Sequence, residues 1–235
     1  MIIASIYPCP FDVQDRHDLS AALIKDGEIF AYEEGKLTSI KNESTVKFPE
    51  RSLMMGCKEL DVLPSEIDKW VFPVPKDPVD YKEQYLFFSW IIKAYKGEWK
   101  NFSDWYNNHV YFVPHQNSHS ALAVLASDFE ECAFLNQDGG GDFGDERDLI
   151  FGEYSNGKFH TIKQHYGQNT IASFHAFVTD ALSFSGGNNG KTSGLASYGK
   201  VQDDLAKEYL NLISINNDGI IFKRERYSNT EMNLG

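Results

Sequence analysis

The sequence predicts an α/β protein with mixed sheets and flanking helices. Two stretches, 1–72 and 131–200, each run strand, hairpin, helix, and strands followed by helices build α/β layers. In the first stretch, Ile2–Tyr7 is a short apolar run suited to a buried strand. Residues 8–17 form a polar loop with two prolines. Ser20–Glu33 follows with Lys25-Asp26-Gly27-Glu28 at its centre, and Asp-Gly tolerates the positive φ of a tight hairpin turn. The chain therefore opens with three antiparallel strands. Pro49 starts a helix that carries Leu53, Met54, Cys57 and Leu60 at helical spacing. Lys69–Phe72 reads as a fourth strand.

Residues 80–106 are dense in aromatics but poor in interleaved cations, so they read as core-packed helices rather than a base-stacking platform. Val110–Val113 is a further strand, and the small apolar run after Pro114 is a tightly packed helix over 115–126. A strand beginning at Glu131 runs into Gln137-Asp138-Gly139-Gly140-Gly141-Asp142. Leu149–Glu153 and Lys158–Gln164 form a second hairpin turned by Ser155-Asn156-Gly157, and helical patterning returns over 171–184. No sequence repeat relates the two stretches. The expected division is a first lobe over 1–130, with a helical insertion at about 80–108, and a second over 131–235.

Composition bounds the function. Of 235 residues, 42% are hydrophobic, enough for a core and too many for a disordered chain. The net charge of −12 argues against nucleic-acid or acidic-membrane partners, which require a basic footprint. Cys9, Cys57 and Cys132 show no metal-finger spacing and no disulfide framework. The N-terminus lacks a basic region before its short apolar run, and no stretch approaches the roughly 20 apolar residues of a membrane span. The expectation is a reduced, cytoplasmic protein.

Four clusters carry chemistry. His115 and His119, four apart on a helix, place two imidazoles on one face, where they serve either as a metal pair or as ordinary helix-start histidines. Asp138, ending the next strand, is the candidate third ligand. Asp138-Gly139-Gly140-Gly141-Asp142 reads as a phosphate- and cation-binding corner or as a surface turn, since glycines admit a phosphate close to backbone N–H groups. Gly186–Lys200 brackets Lys191 with glycines that include Gly194, and reads either as a phosphate-binding segment with Lys191 as its cation or as a flexible loop. It is not a P-loop, because Ser185 stands where the first glycine of that motif would be. His17-Asp18 with Ser20 begins the second strand, either facing a ligand or merely starting the hairpin.

These clusters occur in an order that resembles the nodulation-type O-carbamoyltransferases. Arg16–Gly27 resembles their opening "HDaSaaLvkdG", and Glu33–Lys41 resembles "EERftRiKh". His115-Gln116-Asn117-Ser118-His119-Ser120-Ala121 is similar to "HHxxHA", Gln137–Asp142 to "vDGxGd", and Lys191–Gly199 to "KvMGLApYG". The resemblance implies RNase H-like lobes of the actin/hexokinase/Hsp70 type, shared with tRNA threonylcarbamoyl-transfer proteins. It implies ATP and a metal ion (iron, zinc or manganese) bound between the lobes. A carbamoyl group made from carbamoyl phosphate passes as carbamoyl-adenylate to the hydroxyl of a sugar or natural product.

By the same resemblance, His115, His119 and Asp138 are metal ligands. Gly139, Gly140, Gly141 and Asp142 line the phosphate path, Lys191 and Gly194 the nucleotide side. His119 and His17 are the catalytic candidates. Lys36 and Ser39 replace family arginines, Asn42 and Gln116 replace histidines, and Ser193 replaces a methionine. A later ligand aspartate and the YrdC-like adenylate-forming domain have no counterpart in the chain. The expectation is an N-terminal portion ending inside the second lobe, needing a C-terminal half or partner subunit for the two-step reaction. The alternative is a silent or split-enzyme homologue that acts as a binding or assembly module. A sugar kinase of the same superfamily is disfavoured because such enzymes lack the HxxxH pair.

Overall fold

A computed structural model describes residues 1–7, 19–40, 48–73, 91, 94–138, 147–166, 170–184, 188–211, 213–216 and 219–222. The chain divides into two compact units, Met1–Pro114 and His115–Gly235. The division differs from the 130/131 boundary expected from the sequence only in the helix and turn over 115–130. The protein is α/β, with sheets flanked by helices, as the sequence predicts.

The first unit is built on a mixed five-stranded sheet of β1 (Ile2–Tyr7), β2 (Ser20–Lys25), β3 (Glu28–Glu33), β4 (Lys69–Phe72) and β5 (Val110–Phe112), in the order β3-β2-β1-β4-β5. β1, β2 and β3 are antiparallel neighbours, whereas β4 runs parallel to β1 and β5 parallel to β4. The period-2 pattern is visible in the burial. Ala4 and Ile6 on β1, Ala21 and Leu23 on β2, and Trp70 and Phe72 on β4 are all at most 1% exposed. The β2–β3 turn forms as expected, with Asp26 at φ 51° and Gly27 at φ 90°.

Helix α1 (Glu34–Thr38) leaves β3 directly, and α2 (Glu50–Glu59) packs against β2 and β3 through Leu53, Gly56 and Cys57. Gly56 permits this close approach. A Cβ there would lie 2.6 Å from Leu23 Cδ1 and 2.7 Å from Phe30 Cδ1. The α2 N-terminus has no side-chain cap from its own Pro49. Glu34, 1% exposed, supplies it instead: its carboxylate accepts from the Arg51 N–H, the Ser52 N–H and the Ser52 hydroxyl at 3.2, 2.9 and 2.8 Å. A buried anion is thereby placed at the positive end of the helix, satisfying N–H groups that have no intrahelical partner. Residues 80–90, 92 and 93 of the aromatic stretch 80–106 lie outside the described residues. Its described end is the helix α3 (Phe102–His109), where Tyr95, Phe102 and Trp105 pack ring to ring at 5.1–6.0 Å.

The second unit begins with α4 (His115–Leu125), which lies on an antiparallel sheet of β6 (Cys132–Gln137), β7 (Arg147–Ser155) and β8 (Lys158–Tyr166). Val124 of α4 packs with Phe134 and Ile150 in its core. The β7–β8 turn uses Asn156 at φ 52° and Gly157 at φ 72°, as its Asn-Gly sequence predicts. Among the described residues this sheet has no parallel pair, so the mixed pattern expected for both sheets holds in the first unit. Next come α5 (Ile171–Ala181), α6 (Asn189–Ala196), α7 (Asp203–Leu210) and a hairpin of β9 (Ile213–Asn216) and β10 (Gly219–Phe222). Buried Thr179 and Thr192 share a 2.8 Å hydroxyl hydrogen bond that ties α5 to α6.

Two predictions follow from this packing. A Cβ at Gly152 would lie 2.4 Å from the His160 carbonyl oxygen and 2.5 Å from Phe134 Cζ. Gly152→Ala is therefore expected to destabilise the chain by about 1–3 kcal/mol in urea denaturation, because the backbone of β8 must shift. Burial pushes the Cys57 thiol up to about 11. At pH 8 it is expected to resist alkylation until the chain unfolds. In the unfolded chain the thiol ionises at its lower, ordinary value. Whatever stability this group contributes is thus held below that value and lost as pH rises towards 11, a window that alkaline melting curves of wild type and Cys57→Ala would reveal.

Candidate functional site

Pro114 ends the strand segment and α4 begins at once, so His115 is its first residue and His119 stands one turn further on. Helix α4 buries Gln116, Ser120 and Val124, four apart, against the sheet. The histidines precede these positions by one, which places them at the edge of the buried face. The rings meet edge to face with centroids 4.7 Å apart.

Both rings present Nε2 to the end of β6. His115 Nε2 lies 3.2 Å from Asp138 Oδ2, His119 Nε2 lies 3.3 Å from the same oxygen, and the two nitrogens are 2.9 Å apart. Side-chain exposure grades from 17% at His115 through 36% at Asp138 to 49% at His119, leaving one side of the triangle open to solvent. The donor set fits a divalent transition ion. Bonds of about 2.0–2.2 Å to imidazole nitrogen and carboxylate oxygen place neighbouring donors about 2.8–3.1 Å apart at right angles and about 3.3–3.6 Å apart at tetrahedral angles, and the observed 2.9–3.3 Å spans these. Two nitrogens and one oxygen suit iron, zinc or manganese alike. Three protein donors with an open side is the pattern of a site that also admits a ligand.

The backbone of Asp138 is fixed from two sides. Its N–H donates to the Asp148 carbonyl at 2.9 Å, extending the β6–β7 ladder by one residue. Its carbonyl accepts from the hydroxyl of fully buried Thr170 at 3.1 Å. Thr170 also caps α5, accepting from the Ser173 N–H at 3.3 Å. A Thr just before a helical pattern is a legible cap signal, but its second bond, to Asp138, spans 32 residues and leaves no local trace. Asp148 is wholly buried and pairs through Oδ1 with His165 Nδ1 at 2.8 Å, while its Oδ2 has no partner among the described residues. Spacing on separate strands hides this pair from sequence reading too.

His115, His119 and Asp138 are thus brought together. Lys191 and Gly194 lie exposed on α6 rather than in a loop, with Lys191 Nζ 5.9 Å from the centre of the Phe184 ring. Ser193, also exposed, lies 3.4 Å from His175 Nε2. His17, Gly139, Gly140, Gly141 and Asp142 lie outside the described residues. Among the described residues no helix is long and apolar enough to cross a membrane.

A two-unit α/β protein with a convergent imidazole–carboxylate cluster is therefore the class that fold and site define. Residues 12–234 match the carbamoyltransferase N-terminus family, and the chain belongs to that family. It is similar to the uncharacterized protein MJ1051 of Methanocaldococcus jannaschii, 29% identical over 193 residues. That match covers 81% of this chain and 33% of the relative, so the chain spans about a third of the length of the curated relative it matches. Among solved structures it is similar to YeaZ from Pseudomonas aeruginosa, with a TM-score of 0.38, 12% identity, and coverage of 72% of this chain and 68% of that one. A ROK family protein from Streptococcus pneumoniae in complex with sucrose gives a TM-score of 0.40 and 15% identity over 93% of this chain and 78% of that one.

Thr170→Val removes both the α5 cap and the tether to Asp138. It is expected to cost about 1–2 kcal/mol in chemical denaturation.

Proposed function

We propose that the chain is the N-terminal part of an O-carbamoyltransferase that uses ATP and a divalent metal ion. The observation that carries this reading is the convergence of His115, His119 and Asp138 in a chain of the carbamoyltransferase N-terminus family. The acceptor is a hydroxyl-bearing sugar or natural product, and the donor is carbamoyl-adenylate formed from carbamoyl phosphate and ATP. The acceptor oxygen bonds to the carbamoyl carbon and its hydroxyl proton passes to solvent, the bond from that carbon to the adenylate phosphate oxygen breaks, and AMP leaves with the electron pair.

His115 Nε2, His119 Nε2 and Asp138 Oδ2 hold the ion. When bound, it supplies Lewis-acid polarisation of an oxygen ligand and lowers the pKa of a coordinated hydroxyl. The chain's own residues do the rest. Asp138, held by the Asp148 carbonyl and Thr170, fixes the position of the charge. His119 borders solvent, so the open side of the triangle faces the direction from which substrate arrives. Its Nε2 belongs to the ligand set, so that atom does not also accept the acceptor's proton. Gly139, Gly140, Gly141 and Asp142 are assigned to the phosphate path, and Lys191 with Gly194 to the nucleotide. A cation on exposed α6 offsets phosphate charge without needing burial.

The test is metal binding by the chain itself. Wild type is expected to bind one equivalent of zinc or manganese in calorimetry, and His115→Ala/His119→Ala to bind none at micromolar concentration while keeping its circular dichroism spectrum. A folded wild type that binds no divalent ion overturns the reading and leaves the assembly-module alternative.

A further inference from the structure

The carboxylate ligand sits on β6 and the imidazole ligands on α4, and these two elements meet through a buried amide pair. Gln116, immediately after His115 and three residues before His119, is 0% exposed. The Asn136 side-chain amide, two residues before Asp138, donates to the Gln116 carbonyl oxygen at 2.9 Å and to Gln116 Oε1. One amide nitrogen thus bridges the main chain and the side chain of the same residue. The main-chain half is notable. A carbonyl in the first turn of a helix normally serves the N–H four residues on, and the Gln116 carbonyl also accepts from the Ser120 hydroxyl at 3.1 Å. The first turn of α4 is therefore gripped at the residue between the two ligands, by a side chain one strand repeat from the third.

We propose that Asn136 and Gln116 are positioning residues for the metal site, an amide clamp that sets the distance between the His115/His119 pair and Asp138. This rests on the metal reading above. Nothing local in the ligand residues fixes that distance. Helical spacing relates the two histidines to each other, and the ladder relates Asp138 to β7, but contacts of α4 with the sheet are needed to relate the one set to the other: from β7 the exposed Arg147 guanidinium donates to Asn117 Oδ1 at 3.1 Å, and from β6 the buried polar contact is Asn136 to Gln116. Val124 and Phe134 supply such a contact at the far end of the helix, over two turns from His115. Apolar contact is non-directional and leaves the first turn free to slide and roll. Two hydrogen bonds to one nitrogen define direction as well as distance. Outer partners that orient metal ligands typically change affinity by about 10–100-fold when removed.

The clamp also gives Gln116 a specific use at the position where the resembling family has its second histidine. A glutamine cannot hold the ion as imidazole does, but its amide oxygen accepts from Asn136 without any dependence on protonation.

The experiment compares zinc affinity and cobalt(II) visible spectra for wild type, Gln116→Ala and Asn136→Ala, beside melting curves of the metal-free proteins. Gln116→Ala keeps the main-chain half of the clamp, whereas Asn136→Ala loses both halves. Zinc affinity is expected to fall in that order, by several-fold and then by about 10–100-fold, with the cobalt bands shifting as the ligand geometry loosens. If wild type binds zinc and both variants melt lower but bind it with unchanged affinity and unchanged cobalt spectra, the pair is structural only and the proposal is overturned. If Asn136→Ala does not fold, the milder Gln116→Ala decides: a folded protein with wild-type affinity and spectrum overturns the proposal. Failure of wild type itself to bind zinc or cobalt overturns the metal reading, and the clamp with it.

Discussion

The distance between the start of α4 and the end of β6 governs everything at the candidate site. Three donors from two elements close to a triangle of 2.9–3.3 Å, and an error of one ångström in the seating of the helix would open it beyond the reach of a single ion. The second unit spends much of its buried polar chemistry on that seating. Asn136 meets Gln116 across the helix–sheet interface, Thr170 holds the Asp138 carbonyl, and Asp148 holds its N–H. Each is a directional contact: the first fixes the opening turn of α4, and the other two fix Asp138.

Much of the framework was legible in the sequence because it is written in local signals. Asp26-Gly27 and Asn156-Gly157 announce their turns by the positive φ each needs, and both hairpins form there. The apolar run Ile2–Tyr7 and the stretch Lys69–Phe72 announce strands, while the face each buries shows only in the structure. The His115/His119 pair was legible because helical spacing is itself a geometric statement. Asp138 was legible because a strand end next to glycines is a place where side chains project from a sheet edge.

What stayed hidden depends on contacts between distant residues. Asn136 to Gln116 spans 20 residues, Thr170 to Asp138 spans 32, and the Asp148–His165 pair joins two strands around a β-bulge, which shifts the register that alternation would predict. The Gly186–Lys200 stretch misled in the opposite sense. Its glycines suggest a loop, yet Asn189–Ala196 is helical, with Thr192 anchored to Thr179. A tertiary hydrogen bond between two buried hydroxyls offsets the low helix propensity of glycine.

Glu34 carries a consequence for how the first unit comes apart. Its carboxylate lies at the end of the hairpin strand β3, yet its three donors belong to the opening turn of α2, 17 and 18 residues later. Fraying of that turn would strand an ionised group in an apolar interior, and peeling away β3 would orphan the donors. Neither segment can therefore open by itself at low cost. Hairpin and helix should lose amide-exchange protection together, as one cooperative block.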